Sequence, residues 1–184
     1  MVKWRPSVAR STRWLAASVL VLAGIGGSAA EAPTEYELKA IFLYNFTKYV
    51  EWEQVPAKGT LALCVLGEDP FGAALDGTIE GETVQGRRLV ARRIRTVEEA
   101  LSCQVVFVAD SEEARLGEIL GALAGKTVLT VGETEGFAVR GGVIHLREDE
   151  SRIRIVINVD AANRAGLRIS SQLLKLGEVV GGER

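Results

Sequence analysis

One short run in this chain, TLALCVLG (60–67), is apolar at almost every position, and CQVVFVAD (103–110) and KTVLTVGE (126–133) are further short strand-like runs. A strand with one wet face alternates polar and apolar residues, so runs without alternation must be covered on both faces. At this length and ending in Gly, TLALCVLG reads as a buried parallel strand, and the other two runs read as further strands. RRLVARRI, within GRRLVARRIR, reads as a further strand carrying the solvated arginines Arg87, Arg88, Arg92, Arg93 and Arg95. An anion- or partner-binding patch is the competing reading of those arginines.

Helical signals separate the strands. DPFGAALDGTI opens with Asp69 placed to cap and Pro70 in the first turn. Thr96 with Glu99 three residues on is a capping box for TVEEAL, and Ser111 opens EEARLGEILGAL. GGVIHLRED and SRIRIVINVD, joined by an acidic turn, read as a hairpin, and AANRAGLRISSQLLKL returns to helical spacing. The pattern predicts one three-layer α/β domain. Its mixed sheet has about six strands, a parallel core plus a C-terminal antiparallel hairpin, with helices on both faces.

YELKAIFLYNFTKYVEW (36–52) holds all three Tyr of the chain, two of its five Phe and one of its three Trp. Leu38, Ile41, Phe42, Phe46, Tyr49 and Val50 recur at three and four, which predicts a helix from Glu35 to Trp52. Leu43 and Tyr44 widen the stripe past half the circumference, leaving Glu37, Lys39, Lys48 and Glu51 on the polar remainder. Such a helix needs cover from the core and from something else. Tyr44, Tyr49 and Trp52 are therefore candidate contacts with a second chain. Asn45 lies on the stripe and requires a hydrogen-bonding partner.

The first thirty residues read differently. Lys3, Arg5, Arg10 and Arg13 precede the apolar run LAASVLVLAGIG and the small-residue exit GSAAEA. That is a signal peptide with cleavage near Ala30 or Ala32, leaving residues 31–184 as the domain. An uncleaved anchor is the alternative, but a span wants roughly 20 apolar residues. Losing four of 22 basic residues leaves 18 against 24 acidic, net −6, which argues against nucleic acid as a partner. Cys64 and Cys103 are the only cysteines, and in an exported chain an even pair is first a disulfide candidate. Closing a loop of about 40 residues would contribute roughly 4 kcal/mol.

Chemistry-bearing patterns are sparse. VLGEDPFG has neither the GxGxxG nor the GxxxxGK[ST] spacing of a phosphate cradle. Gly141 and Gly142 read as a turn or bulge. There is no GxSxG elbow, and the serines of RISSQLL lack a neighbouring base. His145 alternates with Ile144 and Leu146 and reads as a solvated or rim histidine. Glu148, Asp149 and Glu150 read as a solvated hairpin tip. The expectation is a binding protein with no catalytic residues, cofactor or metal.

The segments EYELKAIFLYNFTKYVEW, CVLGEDPFG, CQVVFVAD, VGETEGFAVRGGVIHL and RIRIVINVDAANRAGLRISSQLLKLGEVV occur in this order and together resemble the YfiR family of exported bacterial proteins. The likeness runs from Tyr36 to about Val180. It implies a dimeric periplasmic regulator that represses a membrane-bound diguanylate cyclase by binding its periplasmic sensory domain. Cyclic di-GMP and biofilm formation would fall. An outer-membrane lipoprotein with a peptidoglycan-binding domain would be a second partner. Cys64 and Cys103 sit where the family places a disulfide. A second Cys pair of the family's best-known member has no counterpart here, which puts redox sensing through that bridge in doubt.

The disulfide strains the predicted register. If the first and third runs end level at Gly67 and Asp110, the two cysteines are offset by roughly 13 Å, against a tolerated Cα separation of about 7 Å. Either the strands are staggered or Cys103 precedes its strand. For contact residues, Arg164, Arg168, Gln172 and Lys175 share the polar side of the last predicted helix, and Arg152 and Arg154 lie opposite Ile153 and Ile155 on the hairpin. Solvated faces are the competing reading. The alternative function is a small-ligand sensor signalling to a receptor or kinase, with a pocket near Gly67–Phe71 and Asp110–Glu113.

Overall fold

A computed structural model describes residues 32–52, 59–150 and 152–182; the expected leader, 1–30, and the cut after Ala30 lie outside the described residues. The central strands behave as their composition requires. Strands β2 (Gly59–Leu66), β5 (Val105–Val108) and β6 (Leu129–Gly132) lie side by side and parallel. Their side chains divide between two apolar clusters. Leu61, Leu63, Val65, Val105, Phe107, Leu129 and Val131 fill one face, and Ala62, Cys64, Leu66, Val106 and Val108 the other.

The first face is covered by α1 (Glu35–Tyr49), α2 (Ala73–Ile79), α5 (Val159–Arg164) and α6 (Ser171–Leu174). The second is covered by α3 (Val97–Ala100) and α4 (Leu116–Leu123). A short 3-10 turn at Asp110–Arg115, and not Ser111 alone, leads into α4. Among the described residues the sheet has eight strands against the about six expected, with β3 (Thr83–Val84) and β10 (Glu178–Val180) added at its edges. With β4 (Arg87–Ile94), β7 (Ile144–Asp149) and β8 (Arg152–Asn158), the order is β10-β8-β7-β6-β5-β2-β4-β3. The predicted hairpin is the antiparallel pair β7–β8.

Three predicted elements come out differently. The first helix stops at Tyr49, and Val50–Trp52 forms β1, paired antiparallel with β9 (Leu167–Ile169). The predicted last helix is broken into α5, β9 and α6, because Gly166 at φ +65° leaves the helical region and Ser170 starts a new cap. Arg164, Arg168, Gln172 and Lys175 therefore do not share one helical face. Asp69 accepts from the Phe71 N–H at 2.9 Å in a turn and does not cap α2, whose preceding residue is Gly72. The Thr96–Glu99 capping box forms as predicted.

The arginine strand is also corrected at one position. Arg87 is only 3% exposed. Its Nη2 donates to Gln85 Oε1 at 2.8 Å, its guanidinium lies 5.8 Å from the Trp52 ring, and burial pushes its pKa down. Arg93 is held by Asp69 and Asp76, while Arg88, Arg92 and Arg95 are exposed.

Gly142 has a packing role beyond the expected turn. The Phe137 ring lies between it and Gly132, so closely that a Cβ on either glycine would meet the ring at 2.1 and 2.3 Å.

The cysteine register is resolved by the loop, not by stagger. Leu66 stands opposite Val108, so the two strands end nearly level, and β5 begins only at Val105. Cys103 lies before it, in the turn after α3, where its N–H donates to Ala100 O at 3.0 Å. There it reaches Cys64 with a Cα separation of 6.1 Å, and the disulfide forms inside the α3–α4 layer. The loop-entropy argument, applied to the 39-residue separation, predicts that a Cys64→Ala/Cys103→Ala variant is less stable by about 3–4 kcal/mol. Thermal unfolding should show this as a melting temperature lower by roughly 10 °C.

Candidate functional site: the strand-end crevice and the edge groove

The chain leaves β2 for β4 on one side and returns to β5 on the other, so the sheet order reverses at the carboxyl ends of β2 and β5. Open α/β sheets bind ligands at such a switch point. A crevice of about 220 Å³ lies there, lined by Tyr36, Glu68, Asp69, Pro70, Ala109, Asp110, Ser111 and Glu133. Gly67, at φ +100°, allows the two loops to close: a Cβ there would lie 2.5 Å from Ser111 Oγ, which accepts from the Glu68 N–H at 2.9 Å. Thr134 Oγ1 donates to Asp110 at 2.6 Å.

Beneath the crevice is a buried ionic cluster. The Lys39 side chain is 3% exposed and that of Glu133 is 7% exposed; the ammonium donates to Glu133 and to Glu35. Tyr36 Oη donates to Glu133 Oε1 at 3.3 Å. Burial pushes the Glu133 carboxyl above the ordinary carboxylate range. Burial opposes the Lys39 charge, but its hydrogen bonds to Glu133 and Glu35 outweigh that and hold its pKa up. His145 is buried and not solvated: strand alternation turns it away from Ile144 and Leu146, but the loop after β6 covers it. Its Nε2–H donates to the Glu133 carbonyl at 3.1 Å, and burial lowers its pKa.

The cluster reveals that α1 presents a face different from the predicted one. Lys39, Ala40, Leu43, Phe46, Thr47 and Val50 are buried, whereas Leu38 and Ile41 are 37% and 43% exposed. Sequence reasoning missed Lys39 because its partner Glu133 lies 94 residues away. The available signal was its spacing of four and seven from Leu43 and Phe46.

The expected contact residues separate. Trp52 is 6% exposed, donating Nε1–H to the Gln104 carbonyl at 3.2 Å, so it belongs to the core. Tyr44 is half-buried, its hydroxyl on Glu82 and its ring 3.7 Å from Lys48 Nζ. Tyr49 is half-buried, and its carbonyl accepts from Ser170. Arg164 is exposed at the end of α5, Arg168 is exposed opposite Glu51 in the β1–β9 pair, and Gln172 is exposed on α6. Arg152, Arg154 and Lys175 do converge. They line a groove of about 650 Å³ with Phe42, Arg147, Asp149, Ile153, Ile155, Leu176, Gly177 and Glu178. Among the described residues, no group of three or more His, Cys, Asp and Glu is gathered to hold a metal ion.

Two outcomes follow from the cluster. Lys39→Met strands a buried carboxylate and should cost about 3 kcal/mol in chemical denaturation, much of it recovered by adding Glu133→Leu. For His145 the lowered pKa means that folding favours the neutral ring. Its contribution is present above the unfolded value of about 6.5 and is lost as pH falls through the folded value. The melting temperature of His145→Gln should therefore drop less than that of the unaltered chain between neutral pH and about pH 5.

The fold is shared with solved structures of low identity. An ABC domain from Streptococcus pneumonia, determined in complex with L-Trp, superposes with a TM-score of 0.53 at 12% identity over 79% of this chain. A conserved domain protein from Vibrio cholerae gives 0.53 at 13% identity over 80%. In each case the match spans 60% of the solved chain, and at these identities the likeness shows the fold alone. The family DUF4154, YfiR/HmsC-like, matches residues 36–178. That span runs from the first residues of α1 to the start of β10 and takes in both the crevice and the groove. The chain belongs to the YfiR/HmsC-like family, whose members are periplasmic regulators of diguanylate cyclases.

Proposed function

We propose that this chain is exported, cleaved near Ala30 or Ala32, and acts in the periplasm as residues 31–184. There it represses a membrane-bound diguanylate cyclase by binding that enzyme's periplasmic sensory domain, so lowering cyclic di-GMP and biofilm formation. The observation that carries this reading is the family match over residues 36–178. The Cys64–Cys103 bridge supports it, because disulfides persist in oxidising compartments. The active form is a homodimer that works without catalytic residues or cofactor, and a peptidoglycan-binding outer-membrane lipoprotein is a second partner that withdraws it from the cyclase. Arg152, Arg154 and Lys175 supply part of the contact surface.

A second reading, a small-ligand sensor, is favoured by the crevice at the switch point, where Tyr36 and four carboxylates surround about 220 Å³. Such a lining suits an aromatic or apolar body carrying an ammonium group. The solved ABC domain named above holds L-Trp.

Co-expression of the full chain with a membrane diguanylate cyclase encoded beside it should lower cellular cyclic di-GMP, and the chain should capture the cyclase's periplasmic domain. An unchanged cyclic di-GMP level with no capture would sink the regulator reading. A thermal-shift screen of small amines and amino acids, L-Trp among them, addresses the sensor. A true ligand at a hundredfold excess over its Kd stabilises by about 2.7 kcal/mol, and no shift with any of them would remove that reading.

A further inference from the structure

Strand β8 has strand partners on both sides over only its second half. On one side β7 pairs from Arg152 to Ile157. On the other, β10 joins at Val156 and continues to Asn158. From Arg152 to Ile155 no described strand lies on that side. Four residues offer about 13 Å of strand edge; Gly177 lies against the Ile155 carbonyl at its far end, and an edge strand left without a neighbour before that point is a template for another chain.

The groove lies at this edge. Ile153 and Ile155 pack with the cluster on the α1 face, and Phe42 joins them there. Arg152 and Arg154 alternate with them and so point to the opposite face. The space is thus bounded by residues of both faces of the sheet, as the position of a strand added beside β8 would be. Lys175, Leu176 and Gly177, leading into β10, close its end.

Charge decides what kind of strand fits. Arg147 is paired with Glu178 at 3.7 Å and Arg154 with Asp149 at 3.0 Å. No ion pair is formed by Arg152 or Lys175 among the described residues. The groove is thus net positive in a chain whose formal charge is −2. A second copy added symmetrically would set this edge against itself, cation facing cation. Charged residues alone would protect an edge, but protection requires neither an apolar floor nor 650 Å³ of open space.

We propose that the groove takes an extended acidic segment of another protein, added to β8 as a strand alongside Arg152–Ile155. Its backbone pairs with the free edge, its apolar side chains rest on Phe42, Ile153 and Leu176, and its carboxylates meet Arg152 and Lys175. The regulator reading enters only in taking the occupant to be a protein.

The test pans a display library of random peptides, roughly a dozen residues long, against the immobilised full chain. Enriched peptides should alternate acidic with apolar residues. A synthetic copy of one should bind about tenfold more weakly to an Arg152→Glu/Lys175→Glu variant. It should lose binding when alternate backbone amides are N-methylated, a change that leaves its side chains in place. No enrichment, enrichment of neutral or basic sequences, or indifference to N-methylation overturns the assignment. So does a full chain that is dimeric in solution and becomes monomeric on Arg152→Glu/Lys175→Glu, because the groove then belongs to a second copy. A chain that binds such peptides but represses no cyclase sinks the regulator reading and leaves the groove standing. One that represses but enriches no such peptides does the reverse.

Discussion

All four side chains of β5 are buried, two on each face of the sheet, and most of the chain serves to cover them. A strand in that position has no polar face to offer water, so two helical layers are obligatory. At roughly 25 cal/mol per Å² of apolar surface removed from water, a few such strands supply most of the driving force available to a domain of this size. Apart from α1 the helices that cover them are short, and α3 and α6 are single turns that would not persist alone. Their stability is borrowed from the sheet.

The two layers are fastened by different chemistry. On the α3–α4 side the fastening is covalent. Cys64 in the central strand is tied to Cys103 in the turn that leads from α3 to β5. On the α1 side it is ionic, with Lys39 reaching from the helix to Glu133 just past β6. A buried ion pair contributes little net stability compared with apolar residues, but it is intolerant of mispairing. Here it sets the rotation of a helix whose apolar residues lie nearly all round it. That rotation leaves Leu38 and Ile41 outward and brings Tyr36 to the crevice. Helix orientation and crevice lining are therefore linked through one carboxylate. The groove at the other end of the sheet takes Phe42 from the same helix, and its edge is open because β10 starts four residues later along β8 than β7's pairing does.

Much of this was legible beforehand. The buried strands, the hairpin and the capping box at Thr96 announce themselves because strand period, apolar runs and caps are local patterns. The switch-point crevice was predicted at Gly67–Phe71 and Asp110–Glu113, and five of its lining residues, Glu68, Asp69, Pro70, Asp110 and Ser111, come from those turns. Other readings failed where the deciding contact is distant in sequence. Lys39 looked like part of a solvated face, His145 like a rim residue and Arg87 like a solvated arginine. Each is buried, against Glu133, against a loop carbonyl, and near Trp52 and Gln85 respectively. The predicted last helix failed more locally. Leu167–Ile169 has helical spacing, but Gly166 breaks the helix and β1 offers a strand partner.

What the amino-acid sequence determined by itself is the fold class, the three-layer cover of a mostly parallel sheet, and family membership, because these rest on periodicities and motifs repeated along the whole chain. Only the tertiary structure decided which face of α1 is buried, where Cys103 meets Cys64, and that Arg152, Arg154 and Lys175 gather at one sheet edge. Those outcomes depend on pairings between residues tens of positions apart. A local pattern holds the same information whichever distant partner arrives, so the choice among partners is made only when the layers pack.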